Sequence, residues 1–332
     1  MSCTNTSFAI HPGVEQVDIM CEEPKPDYVH YSLNETIKCC APILLFDEYF
    51  LIIGTSNGNC CLFNFESNMQ IATVYEDEER RQIIAVGQTS DICLFLHIRA
   101  FAILSIRATK NKKGWSFEVL NRFSTDHYGF CRTLPLASGL LIPSNNAEVK
   151  IIDGNRERII ALRSNELKLD GTLSCICVIT SSQILLGFDN GTMALFNINK
   201  CCCIYKLELF RDVALACATY NDFIAVSSVA SPFRILRLDE AKLIEYRSIS
   251  YPSSARGCGS LCFSPCGKQI VSGFWDGSVR VHSLRTGNLR ALLTLHSSAI
   301  NFLNWSIVNR KRLLFVCGED SRLSIWNLHK DP

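Results

Sequence analysis

Eighteen cysteines and seven histidines in 332 residues are the side chains most able to do chemistry. Metal binding is the first chemistry to weigh. A structural zinc site needs two closely spaced Cys/His pairs at a matching distance. Cys258, Cys262 and Cys266 recur with three residues between them, and Cys201–Cys203 are consecutive. No second pair follows Cys258 and Cys262 at finger spacing. On a strand, consecutive side chains point to opposite faces, so Cys201–Cys203 cannot all hold one ion. Cys39/Cys40, Cys60/Cys61, Cys175/Cys177 and Cys262 sit in strand-like contexts, where cysteine serves as a small buried hydrophobe. No metal ligands are expected.

Catalysis needs a converging set of groups. The histidines are scattered, at 11, 30, 97, 127, 282, 296 and 329. Gly-x-Ser-x-Gly, P-loop and His-Glu-x-x-His patterns are missing from the sequence. The stretches GTSNGN and FDNGT lack a following lysine and lead into strands, so they read as turns rather than phosphate cradles. The chain is therefore expected to have no catalytic residues and no cofactor, and not to be an enzyme. Lys plus Arg is 33 against 32 Asp plus Glu, so net charge gives no bulk drive toward nucleic acid or an anionic membrane. The runs EDEERR (76–81) and KNKK (110–113) read as solvated loops, and the basic one lacks interleaved aromatics. Neither direct nucleic-acid nor membrane binding is expected.

The N-terminus shows no basic start and no long apolar stretch of a secretory signal. Longer apolar runs are broken by Asp47 and Glu48, and by His97 and Arg99. The expected location is cytoplasm and nucleus, with reduced thiols. The sequons at Asn5, Asn34, Asn190 and Asn304 then read as chance matches.

The elements that would position these residues are strands. Hydrophobic residues make up 48% of the chain, in short runs separated by Gly, Asn, Asp and Ser, which is an all-β pattern. The clearest units are 49–65, 182–198, 260–284 and 299–328, each with a turn between an apolar strand and one ending in a large residue. Taking Phe63, Ile106, Ile152, Phe196, Leu236, His282 and Trp326 as markers gives spacings of 43, 46, 44, 40, 46 and 44 residues. A period near that length is what a four-stranded propeller blade requires. The expectation is a seven-bladed β-propeller over 25–332 as a single domain, after an N-terminal tail, 1–24. In blade two, 91–99 and 101–107 are the second and third strands, followed by a polar turn and the outer strand 115–123. Residues 26–33 are expected to close the ring by pairing with the last blade, because too little chain follows Trp326 to form its outer strand.

The units resemble the WD repeat. The last carries the pattern best, with His296 before its first strand, Asp320 in the turn and Trp326 ending the third strand. The resemblance implies a hydrogen-bonded tetrad in which Cys317 stands in the Ser/Thr place, weakening it to three members. In blade six Asp276 and Ser272 match the pattern, and His282 occupies the Trp place. The resemblance also places the residue before the turn acid on the top face, near the channel. By that rule Ser56, Phe188, Trp275 and Glu319 face a partner, and the two aromatics either pack into the channel mouth or await that partner.

A closer likeness rests on YGFCR (128–132), AEVKII (147–152), LLGFDNGTMALFNI (185–198), 272–303 and SRLSIWNL (321–328). Their order resembles the G-protein beta-subunit-like and Astra-associated WD proteins. That likeness implies a non-enzymatic adaptor, monomeric within a larger complex. Its partners would be co-chaperone subunits that mature phosphatidylinositol-3-kinase-related kinases, with links to chromatin-associated complexes. Two alternatives stay open. A substrate receptor of a cullin-type ubiquitin ligase often carries Trp-Asp-x-Arg after the third strand, of which His282-Ser283-Leu284-Arg285 keeps only the arginine. A G-protein beta-like signalling scaffold would need an N-terminal coiled coil, and residues 1–25 lack heptads.

Overall fold

A computed structural model describes residues 24–328, apart from 32, 138, 146–147, 155, 163–168 and 256. The expected tail, 1–24, lies almost wholly outside the described residues. Strand β1 spans Tyr28–His30. Blade one holds β2 (Ile37–Leu45), β3 (Glu48–Thr55), β4 (Asn59–Asn64) and β5 (Gln70–Glu76). Blade two holds β6 (Ile83–Ser90), β7 (Cys93–Ile98), β8 (Ala102–Asn111) and β9 (Gly114–Ser124). Blade three holds β10 (Leu134–Leu136), β11 (Gly139–Pro143), β12 (Glu148–Asp153) and β13 (Arg156–Ala161). Blade four holds β14 (Leu173–Val178), β15 (Gln183–Phe188), β16 (Thr192–Asn197) and β17 (Cys202–Glu208). Blade five holds β18 (Ala214–Tyr220), β19 (Phe223–Ser228), β20 (Phe233–Asp239) and β21 (Lys242–Ile249). Blade six holds β22 (Cys258–Phe263), β23 (Gln269–Phe274), β24 (Val279–Ser283) and β25 (Leu289–Leu293). Blade seven holds β26 (Ile300–Val308), β27 (Lys311–Gly318) and β28 (Leu323–Trp326).

Every marker falls on the third strand of its blade. In blade seven the sheet order is β1-β28-β27-β26, so the N-terminal strand supplies the missing outer strand. Tyr28 pairs with Ile325, Val29 with Ser324 and His30 with Leu323. His30 is buried edge-on to Phe63 of blade one, at 5.0 Å between centroids. The closure thus joins the first and last described strands in one ladder, which covers an edge that would otherwise stay open.

The side-chain period of two gives each sheet two apolar faces. Seven buried clusters result, one at each blade-to-blade contact. Cysteines follow this alternation. Cys39 and Cys60 pack between blades one and two, whereas Cys40, Cys61 and Cys317 pack between seven and one. Cys258 faces blade five and Cys262 faces blade seven, so the two thiols do not converge. Among the described residues every cysteine is a free thiol.

The expected polar turn of blade two is shorter than its composition suggests. β8 runs through Asn111, because Ala108, Thr109 and Lys110 pair with Phe117, Ser116 and Trp115. Trp115 packs edge-on against Phe50, at 5.1 Å, which holds this outer hairpin on blade one.

Candidate functional site

The tetrad of blade seven is complete, but its hydroxyl comes from an unexpected strand. His296 Nδ1 meets Asp320 Oδ1 at 2.9 Å, and its Nε2 meets Ser324 Oγ at 2.8 Å. Trp326 Nε1 donates to the same oxygen at 2.7 Å. Burial pulls the His296 pKa down more than Asp320 raises it. A neutral ring fits the direction of the relay: tryptophan N–H to serine oxygen, serine O–H to Nε2, and Nδ1–H to carboxylate. Cys317 takes no part. Trp326 lies opposite Leu314, and His282 lies opposite Ile270. Counting two residues on from each, Val316 matches Ser272 and Cys317 matches Gly273. Cys317 therefore faces blade one, away from the indole.

Blade six forms no tetrad. Asp276 Oδ1 accepts from the backbone N–H and hydroxyl of Ser278, at 2.9 and 2.7 Å, and so caps its own turn. Ser272 Oγ donates to the carbonyl of Arg280 at 3.3 Å. His282 is buried edge-on to Phe233, at 5.8 Å, as a packed ring. No described carboxylate pairs with it, and burial followed by Arg280 lowers its pKa to about 4.

The four positions expected at the top face fare differently. Phe188 is 1% exposed and packs between blades three and four. The same register explains why: Phe188 precedes its marker by eight residues, as Phe274 does, and so ends a strand. The position equivalent to Trp275 in blade four is Asp189, whose Oδ1 accepts from Thr172 N at 2.8 Å. Ser56 is held by its N–H to Thr36 O at 2.9 Å and does not line the channel cavity. Trp275 and Glu319 do line it.

Trp275 is 46% exposed. Its indole lies on the bare backbone of Gly257, where an added Cβ would come within 2.0 Å of the ring. Gly257 has φ +63°, a conformation glycine adopts without strain. Glu319 Oε1 pairs with Lys38 Nζ at 2.9 Å, joining blade seven to blade one.

The residues that sequence reasoning missed come from the segment YGFCR. The core described between blades two and three is small, with Ala85, Phe95, Ile103, Leu140, Ile142 and Ile152. Polar groups reinforce it. Thr125 Oγ1 lies 2.6 Å from Pro143 O and 2.8 Å from Ser144 O. Arg99 Nη2 donates to Tyr128 O at 2.6 Å, and its guanidinium stacks 4.0 Å over Phe130. Thr133 N and Oγ1 both reach Nδ1 of His97, at 3.2 and 3.0 Å. Burial holds that histidine neutral, with a pKa of about 3.

So braced, Arg132 projects into the channel. Nη1 donates to Lys38 O at 3.0 Å and also to Ile84 O, and Nη2 donates to Asn301 O at 2.9 Å. The guanidinium lies 4.6 Å from the Phe302 ring centroid. One side chain of blade three thus grips the inner strands of blades one, two and seven. Burial lowers its pKa, but a guanidinium stays charged at neutral pH.

The first residues of the inner strands enclose a cavity of about 380 Å³ at this end of the channel. Arg132, Ser174, Ser260 and Asn301 supply its polar wall, while Phe130 and Trp275 stand at its edge. Phe130 is 58% exposed. Among the described residues no group of three or more His, Cys, Asp or Glu is arranged to hold a metal ion. No helix among them is long and apolar enough to cross a membrane.

Comparison with known proteins agrees with this geometry. Residues 215–308, from blade five through β26, match the anaphase-promoting complex subunit 4 WD40 domain family. An uncharacterized WD repeat-containing protein of Schizosaccharomyces pombe is 24% identical over 170 residues, covering 48% of this chain and 29% of that protein. The periodic tryptophan protein 2 homolog of Dictyostelium discoideum is 24% identical over 160 residues, covering 46% of this chain and 17% of that one. The matches therefore span less than a third of either relative. The β-propeller domain of Myceliophteria thermophila Cps50 (Swd1) superposes with a TM-score of 0.72 at 13% identity, over 92% of this chain and 100% of that one. The WD40 propeller domain of Doa1 gives the same score and identity, over 92% and 97% of the two chains. Fold and repeat together define a seven-bladed β-propeller of the shape that WD40 domains take.

Proposed function

We propose that this protein is an interaction scaffold that captures a protein segment on the top face, at the mouth of its channel. The observation that carries this reading is the pair of exposed rings, Phe130 and Trp275, at the edge of an otherwise braced cavity. Aromatic side chains beside an enclosed pocket are the usual anchors of protein recognition. The bracing supplies the rigidity that a docking surface needs.

The order of the motifs from YGFCR to SRLSIWNL supports a finer reading. In it the partner is a co-chaperone subunit serving maturation of phosphatidylinositol-3-kinase-related kinases, in cytoplasm and nucleus, with this chain as a monomer inside a larger complex. Affinity purification with mass spectrometry, run on the wild type and on Trp275→Ala, tests both levels. Co-chaperone subunits recovered with the wild type and lost with the variant are the expected result. Cullin adaptors in their place would favour the ubiquitin-ligase reading. Partner yield unchanged by Trp275→Ala would count against capture at the channel mouth.

A further inference from the structure

We infer that the channel mouth takes the carboxylate of one acidic side chain from an extended, otherwise apolar partner segment, with Arg132 at its floor. This rests on the scaffold reading above and names the chemistry of the captured segment.

Three observations carry it. First, Arg132 is a charge without a counter-charge: its guanidinium bonds only to neutral carbonyls, and no described carboxylate lies within 4.0 Å of it. Arg132 is half-buried, and a cation drawn this far out of water is ordinarily paired. The cysteines lining the cavity do not compensate. Burial pushes the Cys131 thiol up, and thiol–thiol contacts together with burial do the same for Cys175 and Cys217, so all three are neutral.

Second, the charged groups lining the cavity are Lys38, Arg132 and Glu319, two cations against one carboxylate. Glu319 meets Lys38 at the rim rather than Arg132 at the floor, and its side chain is 46% exposed. The floor is therefore left positive inside walls formed by Ile84, Ile176, Leu261 and Phe302. Low-dielectric walls strengthen that field.

Third, the size and the rim select the ligand. A cavity of about 380 Å³ admits a side chain but not a folded element. Phe130 and Trp275 offer apolar surface to the residues flanking that side chain. A guanidinium with three donations already spent on carbonyls suits a carboxylate better than a phosphate dianion, which draws on more donors.

The test uses the whole chain and fluorescein-labelled peptides with Glu, Gln or phosphoserine between two leucines. Fluorescence anisotropy is expected to show the Glu peptide binding about tenfold tighter than the Gln peptide. Glu319→Gln, which frees Lys38, is expected to tighten the Glu peptide only. Arg132→Gln is expected to abolish the preference. Should that variant fail to fold, the Glu/Gln comparison on the wild type decides alone. Equal binding of Glu and Gln peptides, binding of neither, or tighter binding of the phosphoserine peptide would overturn the inference. The scaffold reading would survive those results, because it is judged by Trp275-dependent partner capture.

Discussion

Ser324 stands directly opposite Val316 in the β27–β28 ladder, and its hydroxyl joins His296 to Trp326. The hydroxyl place of the tetrad on β27 is occupied by Val316, an apolar residue. The oxygen has moved one strand across the sheet and stayed on the same face. Ser324 and Trp326 are two residues apart on one strand, so both point toward blade six.

Ser324→Ala is therefore expected to destabilise the protein by about 2 kcal/mol, because it leaves His296 Nε2 and the Trp326 N–H buried without a partner. Cys317→Ser would stabilise the protein if residue 317 sat in the tetrad. Its place between blades seven and one leads to the opposite expectation, a loss of about 1–3 kcal/mol for a hydroxyl in an apolar core. Urea unfolding of the two variants measures both signs, and a gain in Cys317→Ser would refute the assignment.

Arg132→Met keeps much of the apolar stem and removes the charge. Three carbonyls on blades one, two and seven lose their donor. The expected cost is about 3 kcal/mol or more, at roughly 1–3 kcal/mol for each buried group left unpaired. Hydrogen exchange should locate the loss at the starts of β2, β6 and β26. A variant as stable as the wild type would mean that water replaces the guanidinium.

Blade number, closure and third strands were legible because they depend on period, and the period survives even where signature residues are lost. The spacing of the markers does not need the tetrad. The two errors of placement share one physical cause. Assigning Cys317 to the tetrad and Phe188 to the rim each misplaces a residue by one, and on a strand one residue reverses the face. Arg132 was not legible, since its partners are backbone carbonyls from three other blades, which leave no trace in side-chain pattern. The one sequence signal was the segment YGFCR, which fits no repeat.

Stability should fall in mild acid. Burial lowers the pKa of His30 to about 4 and of His97 to about 3, and burial with Arg280 lowers His282 to about 4. Each would titrate near 6.5 in the unfolded chain. The unfolded state thus binds more protons between these limits, and stability is lost as pH falls from about 6.5 toward 4. Each ring has a limiting slope of about 1.4 kcal/mol per pH unit. His282→Phe removes one of the three where Nδ1 has no hydrogen bond and Phe233 is the neighbour. Its denaturation midpoint should depend less on pH than that of the wild type. Parallel pH profiles for the two proteins would argue against a neutral buried His282.

The capture site can be tested without removing its tryptophan. Trp275→Ala deletes a half-exposed ring, so the expected loss of stability is about 1 kcal/mol, while a hot-spot truncation costs about 2 kcal/mol of binding. Gly257→Ala leaves the indole in place chemically but puts a methyl group where the ring lies, and strains a backbone at φ +63°. Ser56→Ala is the control, because Ser56 belongs to the same set of turns but does not line the cavity. Partner capture should fall about 30-fold in Trp275→Ala and clearly in Gly257→Ala, and stay unchanged in Ser56→Ala. Full capture by Gly257→Ala would show that the ring acts from a position other than the one it holds over that glycine. Equal losses in all three would move the contact from the channel mouth to the whole top face.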